Sequence, residues 1–355
     1  MARPGLYWED VTEGTALPSF TYELSLLRLV AFCRASGLFD YVHIDRDYAQ
    51  AAGARDAFIS TPHVAGLFGR LLTDWAGPEA EIQSLTFAMR TQSCAGDLLT
   101  VSGKVGRTYR GDDGAYLVDI VDLTIAHPIA PQAATATATL SLPSRSGEKA
   151  RMLARTSDPA PGIPDTTPEF ARPFIGKSQR GGFLPERPLS HDDIDMWCEA
   201  LEDWNPLYWD EAYAAASRHG GIVSPPTGFF FGAGAAAGLG IGYMKPGKTV
   251  PHAVRDGLSG LPLLQALRQS LVSAGSLVQP PDCTEIAVVQ AAQRYYVQVR
   301  PGDTLRVEVV MQGCSPKKST KLGDGYFITS ERRFINQRNE LARTMGMNVF
   351  HYHVR

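Results

Sequence analysis

Apolar residues fall at helical spacing over Leu24 to Ala35, where Leu26, Leu27, Leu29, Val30, Phe32 and Cys33 mark one helix. Ala16 to Leu24 alternates and predicts a strand before it. After Gly53 breaks the pattern, the turn Ile59-Ser60-Thr61-Pro62 opens a second apolar helix, Val64 to Trp75, which is expected to be the buried one. From Ile82 the period shortens to two. Leu85 to Thr91, Leu98 to Tyr109, Ala115 to Ile125 and Ala133 to Leu142 read as four strands, separated by Gly-Asp and Gly-Asp-Asp-Gly turns. A helix wrapped by an antiparallel sheet, an α+β arrangement, is the simplest packing of that order.

The pattern then starts again. Ser144 to Pro173 is rich in Pro, Ser, Thr and charge and predicts a linker. Ser190, followed three residues later by Asp193, signals the start of a helix running through Trp197 towards Leu201. Ile222-Val223-Ser224-Pro225-Pro226-Thr227 answers the first turn, and a Gly/Ala-rich segment, Phe229 to Gly242, follows it. Next come roughly forty residues without an upstream counterpart. Strands resume at Val288, with Gln293 to Val299, Thr304 to Met311, Gly325 to Asn336 and Glu340 to Tyr352. The expected organisation is a first half over 1–145, a linker over 146–175, and a second half over 176–355 with an insertion near 229–285.

Each half carries the same corner after its first helix. Gly37-Leu38-Phe39-Asp40-Tyr41-Val42-His43-Ile44-Asp45-Arg46-Asp47-Tyr48-Ala49 has a degenerate copy that runs from Glu202 to Ala214. Overlaying them puts Asp45 on Asp210, Tyr48 on Tyr213 and Ala49 on Ala214, but His43 on Tyr208. The corner is built twice with different chemistry.

Composition narrows the partners. The 355 residues are 44% hydrophobic and 20% charged, a globular balance long enough for two cores. A net charge of -3 provides no basic field for nucleic acid. The five cysteines, Cys33, Cys94, Cys198, Cys283 and Cys314, are widely spaced, with neither a C-x-x-C pair nor metal-ligand spacing to histidine. They read as free thiols, and no metal or cofactor is expected. With no apolar run of about 18 residues either, membrane insertion is not expected and a cytoplasmic location is.

The two corners resemble the MaoC-like, or R-specific, enoyl-thioester hydratase and dehydratase family in its tandem form. That family's signature is Gly-Asp-x-Asn-Pro-hydrophobic-His, often followed by x-Asp-x-x-Tyr-Ala. The first half keeps Gly37, His43, Asp45, Tyr48 and Ala49, with Leu38 in the aspartate position and Asp40-Tyr41 in place of Asn-Pro. The second keeps Asp203, Asn205, Pro206, Asp210, Tyr213 and Ala214, with Tyr208 in the histidine position. Through Gln293-Arg294-Tyr295-Tyr296, Arg300-Pro301-Gly302-Asp303 and Lys318 to Phe327, the second half is also similar to the dehydratase-N domains of fatty-acid synthases and steroid-CoA hydratases. The resemblance implies a double hotdog, with an acyl tunnel between two halves, acting as a hydro-lyase on a thioester of CoA or acyl-carrier protein. It also implies a homodimer or hetero-oligomer of hotdog units.

Hydration of an enoyl thioester needs a base for water, an acid for Cα, and donors for the thioester oxygen. On a helical turn Asp40 and His43 would share a face, which makes them the expected catalytic pair. The competing reading keeps His43 as a pocket-lining residue and Asp40 as a turn or N-cap residue. Asp203, Asn205 and Tyr208 form the second, altered site. A phenol there donates readily but is a poor base, so this site either uses Tyr208 as an acid or only shapes the tunnel. Ser60, His63 and Gly66 at the start of the central helix, with Arg294, Lys318 and Lys321, are the expected substrate-binding residues. Solvated lysines beside Gly and Ser explain the last two equally well. The incomplete motifs leave two alternatives open: a repurposed cyclase or isomerase, and a silent partner subunit.

Overall fold

The computed structural model describes residues 5–38, 41–51, 53–155, 161–181, 187–228, 278, 280–283 and 285–353. Strand β1 (Phe20–Leu24) leads into helix α1 (Leu26–Ser36), whose N-cap Ser25 accepts a hydrogen bond from the Arg28 amide. Gly37 ends the helix in the left-handed region, at φ 71°. After the short α2 (Arg46–Ala51) comes α3 (Thr61–Ala76), started by Pro62 and buried along most of its length. Four strands follow: β2 (Glu81–Met89), β3 (Asp97–Arg110), β4 (Tyr116–His127) and β5 (Ala130–Ser141). The second half supplies β6 (Ser178–Gly181), α4 (His191–Leu201), α5 (Glu211–Ala216), β7 (Glu285–Tyr295), β8 (Leu305–Cys314), β9 (Lys318–Ser319), β10 (Asp324–Asn336) and β11 (Leu341–His353). The expected Gly/Ala-rich segment and most of the insertion near 229–285 lie outside the described residues.

All neighbouring strands pair antiparallel in one sheet, in the order β1-β3-β4-β5-β2-β7-β11-β10-β8-β6, with β9 beside β10. The halves meet at β2 and β7, where Ser84 faces Arg294 and Ala88 faces Gln290. The halves also repeat at the level of single hydrogen bonds. Phe58 N to Val42 O recurs as Val223 N to Leu207 O, and Gly96 N to Leu24 O as Gly302 N to Leu189 O. Partners are offset by 165 residues up to Ser224, against 206 from Val299 onward, which locates an excess of 41 residues in the second half between those points.

One core runs through both halves. It joins Phe32, Leu67, Phe68 and Phe87 to Trp197, Leu201, Tyr295 and Phe334. The Trp197 ring lies 4.9 Å from Phe32, and the Tyr22 hydroxyl donates to the Ala200 carbonyl at 2.7 Å. Two glycines set how closely α3 approaches the second half. A Cβ on Gly66 would stand 2.6 Å from Leu201 Cδ1, and one on Gly69 would stand 2.4 Å from Thr227 Oγ1. Thr227 is β-branched and buried and has little room to give. Gly69→Ala is therefore expected to destabilise the fold by about 1–3 kcal/mol, read from the shift of the denaturant midpoint at unchanged slope.

The sequence pattern misplaces one strand. Residues Gln293 to Val299 are expected to be extended, whereas β7 occupies Glu285–Tyr295. Its upstream half is held by β2 of the first half, a pairing distant in sequence, while Val299 turns away to accept from the Ser224 amide. The expected linker over 146–175 packs down in part. Ala171 and Ile175 are buried against Met311 and Ile328.

Candidate functional site

The two corners share one local design. Asp45 Oδ1 accepts from the Tyr48 amide at 2.9 Å, and Asp210 Oδ1 from the Tyr213 amide at 2.9 Å. The repeated aspartate is thus an N-cap that starts α2 and α5, and this use accounts for it without any chemistry.

The first corner delivers His43 to the start of α3. Its imidazole is buried, and Nδ1 lies 2.8 Å from the Phe58 carbonyl. A carbonyl can only accept, so Nδ1 carries the proton and the lone pair sits at Nε2, the tautomer a general base requires. Phe58 precedes the N-cap Ser60, whose hydroxyl is buried without a hydrogen-bond partner. The helix start adds the positive end of its dipole. Asp40, the expected companion of His43, lies outside the described residues.

His63, on the first turn of α3, is committed to the joint between the halves. Its ring stacks on Phe32 at 4.0 Å, and Nε2 lies 3.1 Å from the Tyr22 hydroxyl, whose proton already goes to the Ala200 carbonyl. Nε2 therefore donates. Burial, with His43 and Arg28 adding to it, pushes His63 down to about 3, so it is neutral at physiological pH. A depressed imidazole stabilises the fold above its ordinary value of 6.5 and stops doing so as pH falls from there towards 3.

The second corner packs against the other end of α3. Asp203 is buried, and its Oδ1 accepts from the Asn205 amide at 3.2 Å. Asn205 Oδ1 in turn accepts from the Leu207 amide at 3.1 Å, the turn chemistry foreseen for it. Burial first, then the nearby Asp74, raises the Asp203 carboxyl to about 7, so a large share stays protonated near neutrality and can donate. Burial also raises the Tyr208 phenol well above its ordinary value, while its hydroxyl bonds Thr73 on the last turn of α3. Glu202, at φ 56° in the position of Gly37, is held by ion pairs to Arg28 and Arg70.

A raised carboxyl makes the folded chain bind a proton that the unfolded chain has already lost. Stability should therefore fall as pH rises from about 4 to about 7. Asp203→Asn is expected to flatten that part of the profile. Comparing melting temperatures of both proteins across this range checks it.

The two corners do not converge. Twelve residues of α3, from Thr61 to Thr73, separate them by roughly 18 Å at 1.5 Å per residue. The remaining expected binding residues are scattered too. Gly66 packs on Leu201 and Trp197, a contact that explains the glycine without a ligand. Arg294 is exposed in mid-sheet opposite Thr344, and Lys318 is exposed opposite Gly325, itself paired with Tyr352. Eight residues of strand, roughly 26 Å, lie between those two positions. Lys321 is exposed beyond β9. His219, which the sequence reading did not single out, lies beside Tyr208 and Asn205 in a small cavity. Its only signal is an imidazole between Arg218 and the turn Gly220-Gly221. Among the described residues no group of His, Cys, Asp and Glu could hold a metal, and no helix is long and apolar enough to cross a membrane.

Two helix-carrying halves on one continuous antiparallel sheet define a double hotdog. A MaoC domain dehydratase from Chloroflexus aurantiacus has this fold over 99% of the chain and 98% of its own, with a TM-score of 0.66 at 11% identity. The chain belongs to the MaoC-like hydratase and dehydratase family. Residues 185–260 match the family model described as FAS1-like, dehydratase domain region. The 3-oxo-4,17-pregnadiene-20-carboxyl-CoA hydratase beta subunit of Mycobacterium tuberculosis is 35% identical over 108 residues, 30% of this chain and 81% of that protein. A Thermomonospora curvata protein named "Probable enoyl-CoA hydratase alpha subunit" is 28% identical over 178 residues, 50% of this chain and 48% of its own. The match thus spans about half the length of that relative.

Proposed function

We propose that the chain hydrates an enoyl-CoA thioester, or runs the reverse dehydration, and that the first-half corner carries the chemistry. The observation that carries this reading is the tautomer of His43. With Nδ1–H held by the Phe58 carbonyl, Nε2 is left as a base beside the start of α3. Nε2 takes a proton from water as the oxygen bonds to Cβ, and the resulting imidazolium can return a proton to Cα. The Ser60 hydroxyl and the first-turn amides of α3 then meet the charge that develops on the thioester oxygen. Asp40 stays in the proposal as the neighbouring carboxylate. Arg294, Lys318 and Lys321 lie too far apart to bind one small anion together, so any role with the nucleotide end of CoA is separate for each.

Relatives named as hydratase subunits favour a place in an assembly of hotdog units. A silent subunit is the second reading. Incubating the chain alone with crotonyl-CoA and with 3-oxo-4,17-pregnadiene-20-carboxyl-CoA separates the two. Loss of the conjugated enoyl-thioester absorbance is the expected result. Absorbance that holds steady with both, and falls only after a companion hotdog subunit is added, would establish the silent role instead.

A further inference from the structure

The cavity beside the last turn of α3 is small, about 10 Å³, room for about one water molecule, and its walls are unusually polar for a buried position. Thr73 and Glu81 of the first half meet Asn205, Tyr208, His219 and Gln298 of the second. Most of these polar groups have assigned partners. Glu81 is paired with Arg218 and accepts from Gln298 at 2.8 Å. Thr73 donates to the Gly69 carbonyl at 3.1 Å, which leaves its oxygen to accept from Tyr208. His219 Nε2 is different: it is buried and has no hydrogen-bond partner.

The setting of His219 is rigid. Its ring hydrogen-bonds the Pro78 carbonyl, and because Nε2 is unpartnered that bond belongs to Nδ1. The lone pair therefore sits at Nε2, as it does in His43. Arg300 donates to the His219 carbonyl at 2.8 Å, and Arg218 anchors the preceding residue to the Glu79 and Ala150 carbonyls. Burial, with those two guanidiniums adding to it, pushes His219 down to about 4 and keeps it neutral. The first half has nothing comparable, since the offset of 165 residues puts Ala54 at this position.

We infer that the second half holds an acid–base pocket of its own, in which His219 Nε2 activates water and Tyr208 donates to the thioester oxygen. Its substrate class is the enoyl thioester, so the inference rests on the reading given under Proposed function. His219 Nε2 takes one proton from water as the oxygen bonds to Cβ, and the π electrons of the double bond move towards the thioester. The same imidazolium then returns the proton to Cα, which restores the base and completes the addition of one water. Tyr208 holds the enolate oxygen through its O–H and keeps its proton. An adjoining cavity of about 20 Å³ shares Ser224, Pro226 and Gln298 with the first, and Met152, Val299 and Leu305 give it an apolar wall fit for acyl carbons.

The test uses the full chain and crotonyl-CoA. His219→Asn keeps an N–H for the Pro78 carbonyl and removes only the far nitrogen. In a His43→Ala background it should cut the remaining hydration by about 10²-fold, whereas residual turnover equal to that of His43→Ala would overturn the inference. A second readout does not depend on turnover. In a ¹⁵N-histidine-labelled chain, crotonyl-CoA should move the His219 Nε2 resonance, and Tyr208→Phe should weaken that response. If the wild-type chain hydrates nothing, the proposed function fails; a shifted His219 signal would then still support a thioester pocket, and an unmoved one would overturn it.

Discussion

His43→Ala should lower kcat/KM for an enoyl-CoA by about 10²–10⁴-fold, the range expected when a positioned general base is removed. The size follows from the geometry of the corner. The Phe58 carbonyl fixes one nitrogen as a donor, so Nε2 is a base without any need for a tautomer change. The fold should survive, because the substitution leaves an acceptor near the protein surface rather than a hole in the core. His43→Gln separates position from basicity: it can keep a donor for the Phe58 carbonyl but cannot take a proton. Equal losses in both variants, with kcat falling more than KM changes, would identify proton transfer as what was removed.

Trp197→Ala should destabilise the chain by about 3–5 kcal/mol, the usual range for deleting a fully buried large aromatic side chain. Trp197 comes from the second half but packs on Phe32 of the first, inside the core that both halves share. Its removal should therefore weaken both halves together. Chemical denaturation followed by two probes, one in each half, should show a single transition at lower denaturant. Two separated transitions would mean that the halves unfold independently.

Much of this arrangement is legible in local patterns. Helical spacing locates α1, α3 and α4, and the Ser190 and Asp193 capping box forms as the sequence suggests. The overlay of Asp45 on Asp210 identifies a real structural repeat, although its meaning is helix capping rather than proton transfer. Pairings between distant segments are not legible in the same way. The upstream reach of β7 depends on β2, and β6 is four residues long with its partner β8 far along the chain.

The candidate site divides along the same line. His43 could be chosen from its place in the corner, but its useful tautomer depends on a carbonyl fifteen residues away. The protonated share of Asp203 and the high Tyr208 phenol come from burial, which spacing does not reveal. His219 is hidden for a related reason. In sequence it stands in a turn, and only the fold places its ring between the end of α3 and the second corner.

The most direct test of the account is product analysis after incubating the chain alone with an enoyl-CoA in deuterium oxide. The account predicts a 3-hydroxyacyl thioester with one deuterium at Cα, formed by wild-type protein and suppressed in His43→Ala. A double-bond isomer with no added hydroxyl, or recovery of the unchanged thioester, would contradict it.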